Sequence, residues 1–265
     1  MIRTACVCEV HYTMGTLLQI TVCGPRARAT EAVRRAAGRA RRAERLFSAH
    51  DPRSILAEMN RLRRLPSAAP PPFARLIRRA WAWRDGTDGA FDPGVQGWLD
   101  LGAIAKGYVV DQIARAFRRG GIRRALINFG QSSLYAIGRP PGLAAWPIVL
   151  RGEAPGSLAG GLLLRDAALS VSGTHRVDLS GRELGPHVVD PRTGRRLRRR
   201  ALAAVVGPSA EAAEALSTAL LVRGPGATSL FGARRRYRGL YLSAGRALAF
   251  NGFAWCRAAA PAEGA

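Results

Sequence analysis

The chain of 265 residues is 48% hydrophobic and carries a formal net charge of +23, so it can bury a sizeable core, but no run nears the ~20 apolar residues that span a bilayer. Met1–Cys6 lacks the apolar stretch of a signal peptide, so the sequence as given reads as cytoplasmic, or as exported or membrane-tethered if its N-terminus is incomplete. Its basic residues are spread through every segment without regular aromatic interleaving, which argues against a base-stacking nucleic-acid binder.

Val7–Tyr12 and Thr16–Cys23 read as strands, rich in β-branched residues and split by Thr13-Met14-Gly15. Cys6 and Cys8 then share one face and are expected to be buried small hydrophobes. The four cysteines, at 6, 8, 23 and 256, do not read as a disulfide framework. Thr30–Phe47 is predicted as an amphipathic helix, and Phe73–Arg84 as another after the proline-rich 66–73. Residues 85–102 read as a glycine-rich loop, and Ala103–Arg119 as a helix stopped by Gly120-Gly121.

Strands follow at Arg124–Phe129, Ser133–Ile137 and Trp146–Arg151, then near 161–165, 167–172, 175–179 and 201–207. Ser209 is a plausible N-cap for a helix over Ala210–Val222, and Leu240–Ser243 with Leu248–Phe250 read as a closing hairpin. Residues 1–258 are expected to form one domain and 259–265 a tail. Runs of strands between isolated helices predict the α+β class, with mixed or antiparallel sheets and packed helices.

Three segments carry candidate chemistry. Gly89–Asp92 (GAFD) joins small positions to an aromatic ring and a carboxylate, and Asp100–Gly107 opens a helix whose free N–H groups suit phosphate oxygens. Lys106 is the only lysine among 41 basic residues, which suggests that an ammonium is wanted there and not a guanidinium. The alternative is an Asp100 N-cap with Lys106 facing solvent. His187–Gly194 places a histidine three residues before Asp190, a possible proton acceptor ahead of a turn. Glu214 and Thr218, four apart on a helix, project a carboxylate and a hydroxyl from one face, two hard oxygens of the kind Mg²⁺ takes.

Together these segments resemble the ApbE-type family of FAD:protein FMN transferases. The likeness runs in order from Met14-Gly15-Thr16 through Phe47–His50 with Asn60, Gly89–Val95, Asp100–Tyr108, Asn128–Gly130, Val171–Gly173, His187–Gly194 and Ala213–Thr218. It implies an ApbE-like flavin transferase fold and the transfer of FMN from FAD to a Ser or Thr hydroxyl of an acceptor protein, with Mg²⁺ present and AMP released. It also implies FAD contacts at Met14, His50, Ala90, Phe91, Asp92, Asp100, Lys106 and Leu197. Metal ligation would fall to the Ala103 carbonyl with Glu214, Ser217 and Thr218, and base catalysis to His187. Glu214 departs from the family's Asp, His50 from an aromatic residue, and Gln131-Ser132 from Gly-Asp. A FAD pyrophosphatase, a non-catalytic FAD-binding module and a basic nucleic-acid binder are the alternatives.

Overall fold

The computed structural model describes residues 5–49, 51–63, 69–95, 97–154, 156–177 and 182–258. The chain begins with β1 (Ala5–Thr13), β2 (Thr16–Gly24), α1 (Arg26–Phe47), α2 (Ile55–Leu62) and α3 (Pro71–Gly86). Short strands β3 (Gly94–Val95) and β4 (Trp98–Leu99) lead to α4 (Ala105–Arg119). Then come β5 (Ala125–Phe129), β6 (Ser133–Ile137), β7 (Trp146–Arg151), β8 (Leu158–Leu164), β9 (Ala167–Gly173) and β10 (His175–Val177). β11 (Glu183–Pro186), β12 (Val189–Asp190), β13 (Arg195–Arg196) and β14 (Ala201–Gly207) precede α5 (Ala210–Arg223). A 3₁₀ turn (Gly224–Gly226), α6 (Thr228–Gly232), β15 (Arg238–Ser243), β16 (Arg246–Phe250) and β17 (Cys256–Arg257) complete it.

Eight strands form one sheet in the order β1-β2-β5-β6-β9-β14-β15-β16, and every pairing in it is antiparallel. One face packs on the helices and the other on the three-stranded sheet β17-β8-β7. This explains why β14 reads as an unbroken apolar run. Ala201, Ala203 and Val205 join the helix-side core, while Leu202, Ala204 and Val206 join the sheet-side core, and both pleat faces are covered. The outer sheet is covered on one face only, so β7 alternates between buried and exposed. The α+β class and antiparallel pairing match the sequence prediction. No helix among the described residues is long and apolar enough to cross a membrane.

The β1–β2 turn places Met14 and Gly15 at φ 51° and 71°, a geometry whose twist suits a two-residue hairpin. Its register corrects the expectation for the cysteines. Cys6 stands opposite Cys23 and is disulfide-bonded to it. Cys6 and Cys8 lie on the exposed outer face, and Cys8 and Cys256 are free. The relevant spacing is across the hairpin, not along Cys6-x-Cys8.

Helix α2, capped by the Ser54 hydroxyl accepting from the Ala57 N–H at 3.0 Å, falls in a stretch without a predicted element. Its purpose is visible at Asn60, whose amide donates to the Leu99 carbonyl at 2.8 Å and accepts from the Leu99 N–H at 2.9 Å. This pair pins β4, and with it the loop leading to α4. Asn60→Ala leaves two buried backbone groups unpaired and is expected to cost about 2–3 kcal/mol, read as a lower urea midpoint with an unchanged m-value.

Candidate functional site

Helix α5 is buried along nearly its whole length, the pattern of a helix enclosed by packing. It lies on β9 and β14 and against α4. The two helices meet at Gly107, where an added Cβ would stand 2.4 Å from the Ala210 carbonyl oxygen. Further along α4, the buried Asp111 accepts from the Ser209 hydroxyl at 2.6 Å, the Ala210 N–H at 2.8 Å and the Glu211 N–H at 3.2 Å. Asp111 thus satisfies donors that the start of α5 would otherwise leave orphaned. Ser209 caps as the sequence predicts, accepting from the Ala212 N–H at 3.3 Å. Asp111 was not foreseeable from local spacing, because it lies far upstream of the donors it serves.

This docking brings the start of α4 onto Glu214. The Gly107 N–H donates to Glu214 Oε2 at 2.6 Å, Ser133 Oγ donates to Oε1, and Lys106 Nζ lies 3.2 Å from Oε1. Lys106 also donates to the Gly102 carbonyl at 2.8 Å, so the single lysine is turned inward. The Glu214 side chain is only 4% exposed, and a carboxylate so buried requires such partners. The helix begins at Ala105, two residues later than predicted. The Gly107 N–H that would continue the ladder back to Ala103 goes to Glu214, which leaves the Ala103 carbonyl outside the ladder.

Ser217 is fully buried. Its hydroxyl donates to the Glu214 carbonyl at 3.1 Å and lies 3.0 Å from Ser170 Oγ and 2.8 Å from Ser172 Oγ, joining α5 to β9. Half-buried Thr218 has its Oγ1 3.5 Å from Ser172 Oγ. The Glu214 carboxylate, the Ser217 and Thr218 hydroxyls and the Ala103 carbonyl are all hard oxygens, the donor class that Mg²⁺ takes, and both Glu214 oxygens and the Ser217 hydroxyl also bond their neighbours. Among the described residues, no group of three His, Cys, Asp or Glu side chains gathers to hold a metal.

The other candidate residues surround this cluster unevenly. The Met14 N–H donates to Glu44 Oε1 at 2.7 Å while Thr13 Oγ1 donates to Oε2 at 2.9 Å, so α1 holds the hairpin turn. Gly130, at φ 64°, sits close between Thr16 and the Lys106 stem: a Cβ there would stand 3.0 Å from Thr16 Cγ2, a tight contact, and 3.5 Å from Lys106 Cδ. The hairpin, the β5–β6 turn and α4 therefore converge on the lysine. Ala90 and Phe91 are core side chains, each 1% exposed, so a ligand would meet that segment through its backbone and Asp92. Asp92 accepts from Arg84 Nε at 2.9 Å and the Gly94 N–H at 2.7 Å.

A cleft of about 380 Å³ runs between Gly89 and Asp92 on one side and Pro191 and Arg192 on the other, setting two of the sequence segments face to face. The Arg192 guanidinium, 2.8 Å from Asp190 Oδ2, holds the Asp190 carboxyl below the usual carboxylate range. The Asp190 carbonyl accepts from the Thr193 and Gly194 N–H groups at 3.2 and 2.9 Å, closing the predicted turn. His187 is exposed, and its backbone N–H donates to the Thr174 carbonyl at 3.1 Å. Asp100 accepts from the Gly102 N–H at 2.7 Å within its own loop, and buried Leu197 donates its N–H to the Val188 carbonyl. His50 lies outside the described residues.

Burial pushes the Glu211 carboxyl up, and hydrogen bonding to Arg79, 2.5 Å away, offsets part of that rise. The folded state therefore binds this proton more tightly than the unfolded chain. The stability contributed is fullest below the ordinary carboxylate range and is lost as pH rises through the folded value. Arg79→Met removes the offset. Its urea midpoint is expected to fall more steeply than that of the parent between about pH 4 and pH 7; parallel curves would contradict the assignment.

The ApbE family model matches residues 14–98 and 96–237. The FAD:protein FMN transferase of Escherichia coli (strain K12) is 29% identical over 133 residues, 48% of this chain and 37% of that protein. A Klebsiella pneumoniae (strain 342) protein of the same name is 34% identical over 106 residues, 38% of this chain and 30% of that one. The aligned stretches thus span only about a third of the length of these relatives. Among solved structures, the flavin transferase ApbE of Vibrio cholerae superposes with a TM-score of 0.77 at 18% identity, covering 94% of this chain and 98% of that one. The ApbE protein of Thermotoga maritima gives 0.75 at 22% identity, covering 96% and 97%. The family match over most of the chain, on an architecture shared nearly end to end with these structures, makes this protein a member of the ApbE family.

Proposed function

We propose that this chain transfers FMN from FAD to a Ser or Thr hydroxyl of an acceptor protein, with Mg²⁺ as the metal and AMP as the leaving product. The observation that carries the proposal is the convergence of Lys106, Gly107 and Glu214 where α4 meets α5, within a family whose curated relatives are named FAD:protein FMN transferase. The Lys106 ammonium and the start of α4 suit the pyrophosphate of a dinucleotide. His187 accepts the proton of the acceptor hydroxyl. The hydroxyl oxygen forms a bond to the phosphorus of the FMN half as the bond from that phosphorus to the bridging oxygen breaks, and AMP departs with that oxygen. Ala103, Glu214 and Thr218 would hold Mg²⁺, which would neutralise charge developing on the pyrophosphate.

A second reading has its own support. Both Glu214 oxygens are already engaged, by Gly107 on one side and by Ser133 and Lys106 on the other, an arrangement that suits a module holding FAD without turning it over. Incubation with FAD, Mg²⁺ and a Ser/Thr acceptor peptide separates the readings. Flavin fixed to the peptide with stoichiometric AMP supports transfer, free FMN indicates a pyrophosphatase, and bound, intact FAD indicates the module. On the transfer reading, EDTA is expected to stop AMP release, and added Mg²⁺ to restore it.

A further inference from the structure

A second concave site lies away from the flavin cluster, where the C-terminal half of α4 packs beside α1. A cavity of about 250 Å³ opens there. Its floor is apolar: Ala36 and Phe117 are buried, and Ala116 and Ile122 are half-buried. Small alanines from both helices leave the room, and the cavity takes about the bulk of one or two large apolar side chains. Its rim is cationic, with Arg28, Arg35 and Arg39 against the single carboxylate of Glu31. Arg28 is clasped to the Gly120 carbonyl and Arg35 to Glu31 at 2.5 Å. Arg39 makes no side-chain hydrogen bond or ion pair among the described residues.

We propose that this groove docks an acidic protein segment that inserts one large apolar side chain between α1 and α4. The three arginines span eleven helical steps, ~16 Å along α1, which matches a row of carboxylates better than the one headgroup of a fatty acid. A single strand held by base stacking would need an exposed aromatic surface, and the one aromatic ring here, Phe117, is only 4% exposed. An apolar anchor in a pocket with charges at the rim is the usual arrangement of a peptide-binding groove. The inference is independent of the flavin reading, since none of these residues belongs to the Lys106–Glu214 cluster.

The test is fluorescence anisotropy with a fluorescein-labelled dodecapeptide of glutamate and alanine around a central phenylalanine. Three controls accompany it: the same peptide with the phenylalanine replaced by alanine, one with lysine for glutamate, and a single-stranded oligonucleotide. The acidic, anchored peptide is expected to bind at least tenfold more tightly than any control, with affinity falling as salt rises. Arg35→Gln combined with Arg39→Gln is expected to weaken it about tenfold, and Ala116→Leu, which fills the groove, to do likewise, both with an unchanged melting temperature. Equal binding of the alanine-centred peptide, tighter binding of the oligonucleotide, or undiminished binding by both variants would overturn the proposal. A filled-groove variant that melts early is replaced by Ala116→Val, read the same way.

Discussion

Glu214→Gln is expected to lower the rate of FMN transfer about a hundredfold, ~2.7 kcal/mol of transition-state stabilisation, while FAD affinity changes only a few-fold. The substitution keeps the size of the side chain, and the amide oxygen can still accept from the Gly107 N–H, so the α4–α5 contact survives. What it loses is charge. The NH₂ group would face the Ser133 hydroxyl, which can turn to accept from it, and the Lys106 ammonium, which can only donate, leaving the ammonium without its counterion and, on the transfer proposal, Mg²⁺ without an anionic ligand. On the transfer proposal the loss falls on kcat, because the Lys106 ammonium and the Mg²⁺ that the carboxylate would hold are the groups that act where negative charge develops on the pyrophosphate. Rates are to be read as AMP released per enzyme at saturating FAD, with circular dichroism showing the fold retained. An unchanged kcat would remove Glu214 from the machinery and favour the binding-module reading.

Much of this centre was legible in the sequence. Lys106 stands out as the one lysine, Ser209 as an N-cap, and Glu214 with Thr218 as a helix face carrying two hard oxygens. These are local signals, fixed by composition or by the 3.6-residue period. The partners that decide their geometry are not local. Ser133 reaches Glu214 across 81 positions and Asp111 reaches the start of α5 across about 100, and a lone serine or aspartate carries no periodic signature. The Cys6–Cys23 bridge is an intermediate case, because it follows from the hairpin register once the Met14-Gly15 turn is placed, yet no spacing along β1 alone reveals it. At Ala90 and Phe91 the sequence does not tell backbone from side chain: both side chains are in the core, so on the transfer proposal a ligand contact there would run through the backbone.

Gly107→Ala is expected to destabilise the protein by about 3 kcal/mol and to break the Gly107–Glu214 bond, which on the transfer proposal abolishes the activity. Two effects compete. Inside a helix, alanine is favoured over glycine by about 1 kcal/mol, so on propensity alone the variant would gain stability. Against that, the new methyl would stand 2.4 Å from the Ala210 oxygen, 2.6 Å from its carbonyl carbon and 2.7 Å from the Glu211 nitrogen. All three are backbone atoms, and Asp111 holds them through its bonds to Ser209, Ala210 and Glu211, so α5 cannot retreat without breaking its own cap. Overpacking of this kind costs ~1–3 kcal/mol or more, and losing part of the cap adds ~1 kcal/mol, so sterics win. Gly102→Ala is the control, because its methyl would meet only the exposed side-chain carboxylate of Asp100, at 3.0 Å, and no backbone of another element. A melting temperature lowered by ~6–12 °C in the first variant and little changed in the second is the expected pair of results. A melting temperature for Gly107→Ala equal to or above that of the parent would mean that α4 and α5 are not locked at this point, and that the fixed carboxylate of Glu214 must be explained in another way.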